Sequence, residues 1–235
     1  MISVVIPAYN EEQIIGRCLK AFVHQTTTER FEIILVNNNS TDRTVEIARS
    51  FEKKIPLRIV DEKEKGRGHA RARGFKEAKG EIILSTDADA IAPPHWIEDM
   101  RKAFEDPKVL AVTGTGKMID ASGFKNTLAT VSLPWVMHLY ALLHQHHWLS
   151  GFNFGIRKDI YEKSGGFKAI NGLEDIDLGF RVRKLGKIHY KPIWVYMSGR
   201  RFKGSVTKGL GNYAKGYVDY MLRKKPDVHL SDIRY

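Results

Sequence analysis

Two carboxylates one residue apart, Asp87 and Asp89, stand directly after the apolar-to-small run Glu81–Ser85. At the end of a strand such a pair can share a hard divalent cation, Mg²⁺ or Mn²⁺, which keeps several waters and bridges to substrate phosphates. A cation there stabilises a diphosphate leaving group as negative charge develops on it. An ordinary acidic turn is the alternative reading of Asp87-Ala-Asp89. A second acidic cluster, Glu174-Asp175-Ile176-Asp177, opens a helical pattern, where carboxylates also suit the positive end of the helix macrodipole. His144-Gln-His-His147 has metal-ligating residue types, but no cysteine and no HExxH spacing accompany it. Surface or acceptor-loop histidines are expected there.

The elements that must position these groups follow from hydrophobic spacing. Ile2–Pro7 predicts a buried strand, and Glu11–Thr26 a helix with Ile14, Ile15, Cys18, Leu19, Phe22 and Val23 on one face. Phe31–Val36, Leu57–Val60 and Glu81–Ser85 predict three more strands. Helices are expected between them, at 42–51 with Thr41 or Ser40 as its cap, and from the glycine-rich, basic Gly66–Gly74 toward Lys79. This β-α-β-α-β-α-β alternation predicts an α/β, Rossmann-like, mostly parallel sheet with helices on both faces. Such sheets bind ligands at the carboxyl ends of their strands. Pro7-Ala-Tyr-Asn-Glu11, Asn37-Asn-Asn-Ser-Thr-Asp42 and Ser85-Thr-Asp-Ala-Asp89 all fall there. No Gly-x-Gly-x-x-Gly follows the first strand and no Walker loop occurs, which argues against dehydrogenase and P-loop chemistry. In the second half, helices are expected at 94–105, 157–164 and 175–185, and strands at 109–114, 150–156 and 187–197. The apolar stretch Leu128–Leu143 is either core or a membrane or acceptor contact; it is too short to span a bilayer.

Composition narrows the class. The 235 residues are 43% hydrophobic and 28% charged, values of a folded soluble protein rather than a disordered or fibrous one. The single cysteine, Cys18, allows no intrachain disulfide and fits a reducing compartment, with the thiol packed in the core. The net charge is +11, and between Arg181 and Lys225 it is +12, so the basicity is local to the C-terminal fifth. Such a patch faces phosphate, anionic lipid or nucleic acid.

Taken in order, Val4-Val-Ile-Pro-Ala-Tyr-Asn-Glu-Glu12, Val36-Asn-Asn-Asn-Ser-Thr-Asp-Arg-Thr44, Gly68-His-Ala-Arg-Ala-Arg-Gly74, Asp87-Ala-Asp89 and Glu174-Asp-Ile-Asp-Leu-Gly-Phe-Arg181 resemble a family 2 glycosyltransferase over residues 2 to 201. The resemblance implies a GT-A fold, a nucleotide-diphospho-sugar donor, UDP- or GDP-linked, a divalent cation, Mn²⁺ or Mg²⁺, and inversion at the anomeric carbon. It implies a base-binding turn at Pro7, Ala8 and Tyr9, with Glu11 near the nucleoside. Asn37 stands where many relatives carry an aspartate facing the base, and its carbonyl can still accept a hydrogen bond. Arg71 is implied near base and phosphates, Asp87 at ribose and metal, Asp89 as the metal ligand, and Asn153 against the donor. Inverting transfer needs one base for the acceptor hydroxyl, a part implied for Asp175 of the Glu174-Asp175 pair. Asp177 is expected to serve its helix instead. Many relatives carry a histidine near position 200; here Arg200 or Arg201 could supply the positive charge toward diphosphate. The Gln-x-x-Arg-Trp signature of processive synthases is absent, so one transfer per encounter is expected.

These readings divide the chain into a catalytic unit, 1–203, and a basic amphipathic segment, 204–235, packed on it or extending from it. A hydroxyl acceptor, lipid-linked or glycan, is expected, with an anionic membrane surface as a further partner and no nucleic acid. No targeting segment is expected before the strand at Ile2, and the expected location is cytoplasmic, with peripheral contact at the inner face of the membrane. Two other classes compete. A nucleic-acid-binding protein would use the basic, tyrosine-bearing tail, although no recognised nucleic-acid motif supports it. A nucleotidyltransferase on a related fold would need a glycine-rich basic loop where Tyr9-Asn-Glu-Glu12 stands.

Overall fold

The computed structural model of the chain describes residues 1–118, 135, 137–168, 170, 172–198 and 217. Strand β1 (Ile2–Ala8) leads to helix α1 (Ile15–Val23), β2 (Phe31–Asn37), α2 (Thr44–Arg49), β3 (Leu57–Asp61), α3 (Arg67–Glu77) and β4 (Ile82–Thr86). Then come β5 (Ala90–Ile91), α4 (Trp96–Ala103), β6 (Ala111–Met118), helical residues 137–144 (α5), β7 (Asn153–Arg157), α6 (Lys158–Lys163), α7 (Glu174–Val182) and β8 (Ile188–Met197). The eight strands form one sheet in the order β3-β2-β1-β4-β7-β6-β8-β5.

Alternation along the central strands puts side chains on opposite faces. Val4, Ile6, Ile33 and Leu35 pack with Cys18, Leu19 and Phe22 of α1 and Trp96, Ile97 and Met100 of α4. Val5, Ile34 and Val36 pack on the other face with Ala70 and Phe75 of α3 and Leu178 and Val182 of α7. Burying each large aliphatic side chain contributes about 1.5–3 kcal/mol, so the near-continuous apolar strands are what hold the sheet between two helical layers.

Strands β1 to β4 run parallel to one another, as the βα alternation requires. Beyond β4 the sheet is mixed: β7 runs antiparallel to both β4 and β6, β6 runs parallel to β8, and β5 runs antiparallel to β8. The expected cap of α2 is different. Ser40 and Thr41 are bound by Asn10, whose backbone N–H donates to Ser40 Oγ at 3.2 Å and whose Oδ1 accepts from the Thr41 N–H at 2.8 Å. Asp42 takes the turn instead, accepting from the Thr44 N–H at 3.0 Å and its hydroxyl at 2.5 Å. Thr44 Oγ1 in turn accepts from the Glu11 N–H at 2.7 Å, so the loops after β1 and β2 are laced together.

The stretch read as core or contact is split. Met137 and Tyr140 are buried, whereas Leu139, Leu142 and Leu143 are exposed. Among the described residues no helix is long and apolar enough to cross a membrane. The 204–235 segment lies outside the described residues except for Tyr217, whose hydroxyl is hydrogen-bonded to His144 Nε2 and whose ring lies 6.3 Å from that of Tyr140.

Candidate active site

The site gathers at the carboxyl ends of β1, β2 and β4. Strand β1 ends in Pro7 and Ala8, both buried, and Ala8 registers with Asn37 of β2 and accepts the Asn38 N–H at 2.9 Å. Tyr9 follows, half-buried, with the Lys65 ammonium 5.7 Å from its ring centroid. Glu11 is buried, and its carbonyl accepts the first hydrogen bonds of the turn into α1 from Ile14 and Ile15.

Asn37 lies at the rim, but both ends of its amide are engaged. Its NH₂ donates to Asp61 Oδ1 at 2.8 Å and its carbonyl accepts from the Ser40 N–H at 3.0 Å. Asp61 is thereby brought to the same rim. Sequence reasoning passed over it; the signal was its place at the end of β3, one strand over and in register with Asn37.

The centre of the site is Arg71, on α3 and 2% exposed. One guanidinium nitrogen donates to Asp87 Oδ1 at 2.6 Å and another to Glu174 Oε1. Burial works against its charge, and Asp87 and Glu174 more than offset that, so the guanidinium is held firmly protonated. This bridge joins the two acidic clusters that the sequence separates by 85 positions or more. Gly151 makes room for it: a Cβ there would stand 2.6–2.9 Å from the Arg71 guanidinium atoms. The Gly151 N–H donates to Asp175 Oδ2 at 2.9 Å, and its carbonyl accepts from Ser85 Oγ at 2.8 Å.

Asp175 keeps some surface open to solvent, yet its carboxyl is densely surrounded. Desolvation, then the neighbouring Glu174 charge, push it up to about 6, with Arg71 and the Gly151 N–H pulling the other way. A carboxylate tuned so is half-poised to accept a proton near neutrality. Just before it, Leu173 has φ of 60°, a left-handed conformation costly for a branched side chain, which turns the chain sharply into Glu174 and Asp175. Asp177 points to its own helix: Oδ2 accepts from Arg181 at 2.6 Å and Oδ1 from Lys168 at 3.3 Å.

Asp87 and Asp89 are each 7% exposed, at the end of β4. The Asp87 carbonyl accepts the Ala90 N–H at 3.0 Å, and the Asp89 carbonyl accepts the Ser198 N–H at 3.2 Å, so the end of β8 arrives beside the Asp-Ala-Asp turn. Arg200 and Arg201 follow two and three residues on, outside the described residues. Two buried carboxylates offer a hard cation its preferred oxygen ligands, and the neighbouring Thr86 Oγ1 and Arg71 Nε are buried with no partner among the described residues. Among the described residues no three acidic, histidine or cysteine side chains converge as a ready cage.

Two expectations are corrected here. Asn153 is fully buried and committed: its amide donates to the Thr115 and Ile193 carbonyls at 2.7 and 2.9 Å and accepts from Trp96 Nε1 at 2.9 Å. It holds β7 to its surroundings rather than facing a donor, because a strand interior leaves an amide no solvent to satisfy it. His146, expected at the surface, is 5% exposed, packed against Phe180 with ring centroids 5.1 Å apart.

The sequence family described as Glycosyl transferase family 2 matches residues 3–165. The probable glycosyltransferase YdaM of Bacillus subtilis (strain 168) is 34% identical over 201 residues, covering 79% of this chain and 47% of that protein. The chain spans about half the length of the first curated relatives it matches. Among solved structures, the mannosyltransferase PcManGT from Pyrobaculum calidifontis, in complex with GDP-Man and Mn²⁺, superposes with a TM-score of 0.68 at 23% identity, covering 92% of this chain and 60% of that one. The glucosyl-3-phosphoglycerate synthase of Mycobacterium tuberculosis, in complex with Mn²⁺, UDP and glucosyl-3-phosphoglycerate, gives 0.69 at 20% identity, covering 97% and 81%. At these identities the superpositions establish a shared GT-A fold.

Proposed function

The chain belongs to glycosyl transferase family 2, and from that premise we propose that it moves a sugar from a nucleotide-diphospho-sugar to a hydroxyl acceptor with inversion at the anomeric carbon. The observation that supports this reading is the buried Arg71 bridge between Asp87 and Glu174, next to Asp175, whose carboxyl is pushed up to about 6. Asp87 and Asp89 would hold the divalent cation, Mn²⁺ or Mg²⁺, whose charge stabilises the departing diphosphate when bound. Tyr9 and the Asn37–Asp61 pair line the base side, and Pro7, Ala8 and Glu11 shape its floor. The Asn37 carbonyl and the Asp61 carboxylate both present acceptors there, which suits the imino and amino N–H groups of uracil or guanine alike.

Asp175 takes the proton of the attacking hydroxyl, held in place by the Gly151 N–H. Glu174 holds Arg71, and Arg71 holds Asp87. Arg200 or Arg201 would pair with phosphate oxygens of the diphosphate. The acceptor is lipid-linked or a glycan, and the basic residues of 204–225 are proposed to face an anionic membrane surface.

The test is calorimetry of UDP- and GDP-sugars with Mn²⁺ or Mg²⁺ and with EDTA, on the wild-type chain and on Asp89→Ala. Donor affinity should collapse in EDTA and in the variant. Equal affinity with and without the cation would sink the metal-dependent reading.

A further inference from the structure

Helix α5 presents an apolar side outward. Leu139, Leu142 and Leu143 are 58%, 79% and 71% exposed, and Trp135, one turn earlier, is 74% exposed. Positions 135, 139, 142 and 143 recur at i, i+4, i+7 and i+8, so they make one stripe, while Met137 and Tyr140 anchor the opposite side in the protein. A contiguous exposed apolar stripe of this kind marks a contact surface.

Ala141, beside the stripe, forms one wall of a crevice of about 630 Å³ whose other lining includes Gln145, His146, His147, Arg183, Lys187 and His189. No carboxylate is among the described lining residues. Arg183 donates to Gln145 Oε1 at 3.2 Å, and among the described residues neither Arg183 nor Lys187 is in an ion pair. His146 is buried, with its Nδ1 donating to the His147 carbonyl at 2.8 Å, which makes Nε2 the lone-pair nitrogen; among the described residues Nε2 has no partner. Burial holds both His146 and His147 below the ordinary imidazole range, so each is neutral until a ligand brings negative charge or a proton. The crevice is separate from the donor site: Asp175 stands at the start of α7 and Arg183 just past its end, about 12 Å apart at 1.5 Å per residue.

We propose that this crevice takes the phosphate of an anionic membrane lipid while the stripe from Trp135 to Leu143 enters the bilayer interface. The inference rests on the reading that the chain works at an anionic surface, and it adds to the 204–225 segment a contact on the described domain. The guanidinium of Arg183 matches two phosphate oxygens at once, and Lys187 adds a point charge. An apolar ridge flanked by cations is the pattern of interfacial anchoring, in which leucine and tryptophan sit at the headgroup boundary.

The experiment is co-sedimentation of the full chain with phosphatidylcholine vesicles, with and without phosphatidic acid. Wild type should bind the acidic vesicles and leave the neutral ones. Arg183→Glu with Lys187→Glu should lose at least ~10-fold of that binding, the scale of two basic residues at an anionic surface. Leu142→Ser with Leu143→Ser should lose as much, while both double variants keep the nucleotide-induced thermal shift of the wild type. Undiminished vesicle binding in both, with loss only on neutralising Lys208, Lys215, Arg223, Lys224 and Lys225, would overturn the crevice and leave the tail as the contact. Absence of vesicle binding by the full chain would overturn the surface reading as well. A third arm titrates inorganic phosphate against the imidazole resonances of His146. Saturation there without vesicle binding would make this a site for a soluble phosphate and overturn the lipid assignment.

Discussion

Replacing Arg71 by methionine should reveal how the two acidic clusters are held together. The side chain is 2% exposed and bonded to Asp87 at 2.6 Å and to Glu174, itself 2% exposed. Methionine keeps much of the length and removes the charge, so two carboxylates are left facing one another out of water. Removing one partner of a buried ion pair costs about 3–5 kcal/mol, most of it the uncompensated charge. Against a typical domain stability of about 5–15 kcal/mol, that is a large fraction. The sign with pH follows directly. Asp175, already pushed up to about 6 with Arg71 pulling the other way, should rise further once that charge is gone, so the loss should be largest at pH 8 and ease toward pH 5. Adding Glu174→Gln to Arg71→Met should restore stability, with a coupling of about 1–3 kcal/mol between the sites. Urea unfolding of the wild type, both single variants and the double variant at the two pH values measures all of this. An Arg71→Met cost below about 1 kcal/mol and equal at both pH values would mean that water reaches the carboxylates, and the buried-bridge account would fail.

Four further outcomes follow from the same geometry. Asp175→Asn should bind donor normally and turn over at least ~100-fold more slowly, and wild-type kcat should rise with pH through about 6 as Asp175 loses its proton; near-normal turnover in that variant with an inactive Glu174→Gln would move the base to Glu174. Because burial and Glu174 raise the folded-state value of Asp175 above its unfolded one, wild type should gain stability relative to Asp175→Asn as pH falls from 8 to 4, a trend that thermal melts would reverse or flatten if the carboxyl were well hydrated. Gly151→Ala should displace the Arg71 guanidinium and lower stability by about 1–3 kcal/mol, with donor affinity falling in parallel. Asn37→Asp should set two carboxylates at the 2.8 Å contact with Asp61 and weaken base-side binding, and a partial recovery in Asn37→Asp with Asp61→Asn would confirm the pairing by a double-mutant cycle.

The first half of the fold was legible because each central strand is a short, β-branched run buried on both faces. Ile2–Ile6 and Phe31–Val36 say strand whatever surrounds them, and the polar turns between say where helices begin. The mixed half was not. Strand β5 is two residues long, Ala90–Ile91, too short for any period, and exists because β8 reaches it. The antiparallel seat of β7 between β4 and β6 is set by long-range pairing that Asn153-Phe-Gly-Ile-Arg157 alone does not encode. Local pattern did not settle the places of three side chains. Asn153 reads as a polar group awaiting a ligand, but three hydrogen bonds in the core consume it. The stretch Leu128–Leu143 read as either core or a contact surface, and its helix buries Met137 and Tyr140 while exposing Leu142 and Leu143. The acidic clusters were visible as residue types at strand and helix ends. Their connection through Arg71 was not, since a basic residue in an Arg-Ala-Arg run looks like a solvated face until the fold buries it.

The antiparallel insertion of β7 explains how one site is assembled from distant segments. Pairing β7 beside β4 sets Asn153 opposite Thr86, so the loop just before β7 meets the turn just after β4. That loop carries Gly151, and a residue without a side chain is what allows Arg71 to pass from α3 to Asp87. The same backbone then reaches the other way: its N–H holds Asp175, and its carbonyl is held by Ser85. A parallel strand in that place would put its opposite end beside Thr86 and bring residues near Arg157 to the site instead. The carboxylates suited to a cation and the carboxylate suited to a proton are therefore kept at a fixed separation by backbone geometry, not by loops free to move. Arg71 adds the electrostatic part, because it neutralises Asp87 and Glu174 while leaving Asp175 with a net push toward its protonated form. Within one buried cluster, position in the sheet thus sets which carboxylates stay paired with Arg71 and which one is tuned to exchange a proton near neutral pH.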